Sequence, residues 1–168
     1  MPLLLRKLRY NRWFAAKTSL NNPLPADPLA DLATTSNTLS LWEIFSDESN
    51  LSHVITALAA PADYVSNIDV AIIDIKQLAG SWTRSCMTQA GTICPSASPY
   101  HRDIADLTAH EIVEMAEDIR RHATFREFSE QDVANLLAQA IQDHRLNLQD
   151  LKPKVVAHLQ KRGLLSTP

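Results

Sequence analysis

Residues 110–114 read HExxE, which differs at its last position from the zinc-binding signature HExxH. That signature requires two histidines four residues apart on one helix face and a glutamate that acts as general base. Here Glu114 stands in place of the second histidine, and Glu111 fits as the N3 residue of a capping box that begins at Thr108. The pattern therefore predicts a solvated helix face rather than a metal site.

The other residues that could bind a metal or act as nucleophiles are too widely spaced to form a recognised site. Cys86, Cys94, His101 and His110 are separated by longer intervals than the short clips of structural zinc. Neither a Gly-x-Ser-x-Gly elbow nor a cysteine-protease signature occurs, and the three glycines cannot build a phosphate-binding loop. We expect no catalytic residue, no metal and no cofactor, and an enzyme is the less favoured class.

Asp69 and Asp74 lie near the two ends of the apolar run at 68–75. Carboxylates at strand ends hold metal ions in some hydrolases, so a small metal-dependent hydrolase around these two residues is a second alternative. Aspartates at such positions also form turns or cap a following helix. The two interpretations differ in whether both side chains reach one shared pocket.

Charge is separated along the chain. Residues 1–17 carry five basic side chains and no acid, whereas residues 18–60 carry five acidic side chains and no lysine or arginine. The basic segment can therefore dock on its own chain, or bind phosphate or an acidic partner.

Nucleic-acid binding is the first alternative function. In residues 1–17, Arg9 and Arg12 are interleaved with Tyr10, Trp13 and Phe14, a mixture that suits phosphate pairing and base stacking. The last predicted helix adds further lysines. The net charge of −3 and the pI of about 6.0 are far from the basic footprint of nucleic-acid-binding domains, and therefore favour a protein partner.

The sequence predicts some of the secondary-structure elements that position these residues more clearly than others. Residues 21–31 contain three prolines and read as an extended strap across the surface. Segments 38–45 and 68–75 read as strands, and the helical spacing between them ends at Pro61, so they could form a parallel β-α-β unit. Residues 77–102 predict a long loop, which is the first place to look for a binding surface.

The last third of the chain predicts three capped amphipathic helices. Thr108 with Glu111 and Ser129 with Asp132 form capping boxes, and Gly163 ends the third helix. We therefore predict an α+β fold that is predominantly helical, with a small two- to three-stranded sheet and a C-terminal three-helix layer. Residues 1–37 would form a basic N-terminal arm and a proline-rich strap, and residues 38–168 a single globular domain.

The most favoured function is a non-catalytic intracellular interaction protein, such as an accessory, adaptor or immunity-type subunit. No apolar run is long enough for a membrane span, so we expect no membrane association. A cytoplasmic location is the default for a chain with two cysteines, and nothing indicates an oligomeric state. The residues predicted to contact the protein partner are Arg6, Arg9, Arg12, Trp13, Phe14, Trp82 and Tyr100.

Overall fold

The computed structural model describes residues 3–34, 37–77, 87–88 and 92–166. In these residues, an antiparallel sheet carries helices on both faces, and its strand order is β4-β5-β2-β1-β3-β6. The strands in chain order are β1 (Leu3–Leu8), β2 (Leu39–Ile44), β3 (Ile68–Asp74), β4 (Met87–Thr88), β5 (His101–Ile104) and β6 (Thr124–Phe128). The α-helices are α1 (Tyr10–Thr18), α2 (Leu51–Ala59), α3 (Ala109–His122), α4 (Glu130–Gln142) and α5 (Pro153–Lys161).

The strand β1 lies in the interior of the sheet, between β2 and β3. Its leucines explain this position, because successive side chains of a strand point to opposite faces and both faces here are covered. Leu5 is buried on one face, and Leu4 and Leu8 are buried on the other. Residues 3–8, which the sequence analysis placed in an arm outside the domain of residues 38–168, are therefore an integral strand of the same sheet.

Each face of the sheet has its own hydrophobic core. The α2 face is covered by α2, α4 and α5, and the α3 face by α1, α3 and the 3-10 helix Asp27–Leu32. The strand β3 contributes to both cores, with Val70 and Ile72 on the α2 face and Ala71 and Ile73 on the α3 face. This two-sided burial explains why its sequence is almost continuously apolar.

The α+β class is confirmed, but the rest of the predicted fold is wrong. The sheet has five strands of four or more residues in the described part of the chain, together with the two-residue strand β4, whereas two or three strands were predicted. The structure is 48% helical and so is not predominantly helical. These strands were not predicted because β1 contains basic residues and because β5 and β6 are short and carry several polar residues.

The predicted C-terminal three-helix layer is also wrong, because β6 separates its members. The chain leaves α3 on one face, pairs along β3 as β6, and continues into α4 on the opposite face. Both predicted capping boxes are present, at Thr108 with Glu111 and at Ser129 with Asp132. The capping residues therefore predicted correctly where α3 and α4 begin. The assignment of these helices to one layer was wrong because the five-residue strand β6 lies between them.

The strands β2 and β3 run in the same direction on either side of β1, and α2 connects them. The predicted β-α-β unit is thus present in a split form, with an antiparallel strand inserted between its two parallel strands. This insertion places the end of β1 beside the start of β2, where the candidate site lies.

Candidate functional site

Three adjoining cavities meet at Arg9, in the described part of the chain, where β1 passes into α1. The His101 cavity has a volume of about 520 Å³, the Tyr64 cavity about 420 Å³ and the Phe14 cavity about 580 Å³. Arg9 lines all three. The His101 and Tyr64 cavities also share Lys7 and Leu8, and the Tyr64 and Phe14 cavities also share Asn67 and Asp69. We call this continuous region the Arg9 surface.

The backbone at Arg9 is held by two aspartates. Arg9 is the N-cap residue of α1 and has extended dihedral angles, and its own side chain makes no capping hydrogen bond. Instead, the Arg9 amide donates to Asp31 Oδ2 at 2.9 Å, and the Tyr10 amide donates to Asp69 Oδ2 at 2.9 Å. Carboxylates at a helix N-terminus satisfy free amides and interact favourably with the helix dipole. These bonds fix the turn around which the cavities open.

The Asp31 side chain also anchors the rest of the basic segment. Its Oδ1 accepts from Arg12 Nη1 at 2.7 Å, and its Oδ2 accepts from the indole Nε1 of Trp13 at 3.0 Å. The Asp31 backbone carbonyl accepts from Arg6 Nη2 at 2.8 Å and from Arg6 Nε at 3.2 Å. The basic segment therefore docks on the acidic segment of its own chain, as the charge separation allowed.

The His101 cavity opens because β1 and β2 separate. Their pairing ends at Leu5 and Trp42, whereas β1 continues to pair with β3 as far as Leu8 and Asp69. Beyond that point, Arg6 Nη1 donates to the free carbonyl of Ser40 at 2.7 Å. The cavity lies in this fork, so side chains from both faces of β1 reach it.

The floor of the His101 cavity includes a stack of Trp42 on His101, with 4.5 Å between ring centroids and 14° between planes. His101 Nε2 lies 3.6 Å from Asp103 Oδ1, which also accepts a 2.8 Å hydrogen bond from Ser40 Oγ. The pKa of His101 is lowered mainly by burial and further by Arg102, although Asp103 opposes the change. The imidazole is therefore neutral near pH 7 and contributes a flat ring rather than a charge.

The positive charge of this cavity comes from Arg6, Lys7 and Arg9. Within the described residues, none of these three side chains forms an ion pair, and Lys7 Nζ and the Arg9 guanidinium make no hydrogen bond. The pKa of Lys7 is lowered, first by the surrounding protein atoms that displace water and then by Arg9. An ammonium group in this position gains from a nearby anion, which would offset both effects.

Exposed apolar side chains are concentrated along the Arg9 surface. Eight large hydrophobic residues are exposed among those the structure describes, and Tyr10, Phe14, Tyr64 and Ile93 line the three cavities. Phe14 is 56% exposed and Tyr64 is 65% exposed. Half of these side chains thus lie on one small region, which is uncommon for side chains scattered at random over a monomer surface.

The structure separates the seven predicted partner contacts into groups. Arg6 and Arg9 line the His101 cavity and Phe14 lines its own, so these three share the Arg9 surface. Arg12 is committed to Asp31, and Trp13 is fully buried on the α3 face. 

The two remaining predicted contacts do not lie on the described part of this surface. Tyr100 packs edge-on against Phe45, and Trp82 lies outside the described residues. Sequence reasoning missed Lys7 and Tyr64 as members of the site and did not place His101 beside the arm. The sequence signal for this region was the mixture of basic and aromatic residues in the first 17 positions.

The carboxylates of the hydrolase alternative do not share a pocket. Asp69 and Asp74 are five residues apart in β3, so their side chains project from opposite faces of the sheet. Asp69 binds the first amide of α1, and Asp74 Oδ1 accepts from the Lys76 amide at 3.0 Å in a turn. Their observed roles are the capping and turn roles of aspartate at strand ends.

The other candidate metal ligands do not converge either. His110 is highly exposed and lies 3.5 Å from Glu114, while the buried Cys94 thiol contacts the Arg145 carbonyl at 3.7 Å. Among the residues that the structure describes, no three His, Cys, Asp or Glu side chains are grouped closely enough to hold a metal. Cys86 lies outside those residues.

None of the helices in the described portion of the chain has both the length and the apolar character needed to cross a bilayer. In comparisons of sequence and structure, no protein-family model, no curated protein and no solved structure matches this chain.

Proposed function

We propose that this chain is a non-catalytic interaction protein that binds a segment of a protein partner on the Arg9 surface. The observation that supports the proposal most directly is the position of Phe14 and Tyr64, two strongly exposed aromatic side chains on either side of Arg9. Aromatic residues with a neighbouring arginine are the side chains that most often dominate the energy of protein interfaces. A cytoplasmic location belongs to this proposal.

The charge along the surface defines the chemistry of the partner segment. The His101 cavity is basic through Lys7 and Arg9, whereas the Tyr64 and Phe14 cavities include Asp69 and other acids. A complementary segment therefore carries an acidic group at one end and basic or neutral residues at the other, with apolar side chains that pack on Phe14 and Tyr64. Such complementarity sets the orientation of binding more than its strength.

The nucleic-acid alternative receives less support from these contacts. Of the three arginines in residues 1–17, Arg12 is neutralised by Asp31 and Arg6 is bonded to two backbone carbonyls. Just after α5, Arg162 bonds with Glu130 and Gln131 on α4. Phosphate binding would require these cations to leave their present partners.

Affinity capture with matched variants tests the proposal. The double variant Phe14→Ala and Tyr64→Ala removes two exposed side chains of the Arg9 surface, and the double variant Val113→Ala and Leu148→Ala removes two exposed side chains elsewhere. Proteins captured from a lysate of the source cells by the wild-type chain and by the second variant, but lost with the first, are the expected result. Equal capture by both variants would contradict the proposal.

A further inference from the structure

We propose that the His101 cavity is a binding site for a small organic anion, in which Lys7 and Arg9 hold a carboxylate or phosphate group and the Trp42–His101 stack contacts an aromatic or apolar body. This inference goes beyond the partner-binding function. The small anion and the acidic end of the proposed partner segment would use the same cations, Lys7 and Arg9, but the inference does not require a protein partner. It concerns one cavity, and the aromatic anchors Phe14 and Tyr64 line other cavities.

The size and the lining of the cavity support a small ligand. Its volume of about 520 Å³ lies within the range of cavities that bind small molecules. Trp42, Leu58, Pro61 and Ile93 supply apolar surface, so the body of the ligand is removed from water on several sides. The lining combines this apolar surface with polar and charged side chains, which can fix the orientation of a bound ligand.

The balance of charge selects an anion. Arg6, Lys7 and Arg9 bring three positive charges to the cavity, and Asp31 is the acidic residue among its lining side chains. Asp31 is paired with Arg12 at 2.7 Å and also interacts electrostatically with Arg6, whereas Lys7 and Arg9 form no ion pair among the described residues. In the described chain, Lys7 and Arg9 therefore retain donors for a ligand that carries negative oxygen atoms.

The fork between β1 and β2 supports the same conclusion. The Ser40 carbonyl, which has no β1 amide as partner at this point, is satisfied by Arg6. Arg6 is thereby fixed at the base of the cavity and keeps its charge without occupying Lys7 or Arg9. These contacts hold Arg6 in place before any ligand binds, which lowers the entropic cost of including its charge in the site.

Titration of the isotopically labelled full chain by NMR tests the proposal, with benzoate, phenyl phosphate and uncharged benzamide as probes. Saturable shifts of the Trp42 indole with benzoate support a carboxylate ligand, and those with phenyl phosphate support a phosphate ester. Benzamide, which matches benzoate in size, should bind at least about tenfold more weakly. No saturable shift with either anion, or equal binding of benzamide, would overturn the proposal.

Two substitutions and one control assign the effect to the cavity. Lys7→Gln and Arg9→Gln should each weaken binding of the preferred anion about tenfold or more, because each removes a charge-assisted hydrogen bond. Lys161→Gln, on the exposed end of α5, should leave affinity unchanged. The Arg9 backbone contact with Asp31 survives its substitution, so thermal unfolding should show that this variant folds. Equal affinities of all three variants would overturn the assignment, and partner capture reports independently on Phe14 and Tyr64.

Discussion

The indole Nε1 of Trp13 donates a 3.0 Å hydrogen bond to Asp31 Oδ2, and this bond joins the basic and acidic segments of the chain inside the α3 face. Trp13 is fully buried, and the Asp31 side chain is only 7% exposed. Five donor groups therefore converge on Asp31, and they belong to Arg6, Arg9, Arg12 and Trp13. Several stability predictions depend on this arrangement.

Substitution of Asp31 with asparagine should destabilise the protein. The change removes the charge that Arg12 neutralises and weakens the acceptor for the Trp13 indole, at a cost of about 2–4 kcal/mol in the free energy of unfolding. Urea denaturation measures this difference. Asp27→Asn is a matched control in the same 3-10 helix, because Asp27 is exposed, and should change stability by less than about 0.5 kcal/mol.

Trp13 and its neighbour Phe14 should give opposite results when each is replaced by alanine. Trp13→Ala should lower the free energy of unfolding by about 3–5 kcal/mol, because it removes a fully buried ring from the core. Phe14→Ala should have little effect on stability but should reduce partner capture, since Phe14 is more than half exposed. A large loss of stability in Phe14→Ala would show that its ring belongs to the core.

Arg120 should be required for the attachment of the chain that follows α1. Its side chain is 3% exposed, pairs with Glu117, and donates to the carbonyls of Leu20 and Asn22. Arg120→Met should cost about 2–3 kcal/mol and should speed proteolysis near residues 20–28, because the carbonyls of Leu20 and Asn22 lose this donor and Glu117 loses one of its two arginine partners.

Arg121→Met provides the matched control on the same helix, since the Arg121 side chain is 55% exposed. It also contacts Glu117, so it tests whether loss of any arginine at this helix end is harmful. Equal proteolysis rates for the two variants would contradict a role of Arg120 in holding this segment.

The lowered pKa of His101 should make stability dependent on pH. Below the ordinary histidine value of 6.5, the unfolded chain binds a proton that the folded chain does not accept, because burial disfavours the imidazolium. The folded state is therefore not penalised by this effect at neutral pH. It loses stability progressively as the pH falls from 6.5 toward the pKa of His101 in the folded state. Asp103 and Arg102 are the charged groups that modify the effect.

His101→Phe tests this dependence, since it retains a ring on Trp42 but cannot be protonated. The difference in unfolding free energy between this variant and the wild type should shift in favour of the variant as the pH falls from about 7 to about 5. His110→Phe, at a highly exposed position, is the control for exchanging a histidine for phenylalanine. Parallel stability curves for His101→Phe and wild type would contradict the prediction.

The sequence predicted correctly those features whose interacting residues lie a few positions apart. The capping boxes at Thr108 and Ser129 are examples, because each side chain bonds three residues along the chain. The strand β6 was missed because its sequence is polar and its stability comes from pairing with β3, more than 50 residues earlier. Without β6, sequence alone offers no means to assign α3 and α4 to opposite faces.

The candidate site was only partly predictable for the same reason. Arg9 and Phe14 were identified from the mixture of charge and aromatic residues, but the same pattern included Trp13, whose burial depends on Asp31. Lys7 and His101 line one cavity only because β1 and β2 diverge beside β5. Such a divergence depends on three strands together, so it cannot be recognised from the sequence of any one of them.

The interior position of β1 also has a consequence for assembly of the molecule. Its neighbours on the two sides are residues 42–44 and 69–74, so both flanking pairs require closure of long chain loops. We therefore expect folding to be slow for a domain of this size. The leucine-rich strand β1 would remain unpaired until β2 and β3 lie on both sides of it. Deletion of residues 3–8 should divide the sheet into two disconnected halves, β4-β5-β2 and β3-β6, rather than trim one edge.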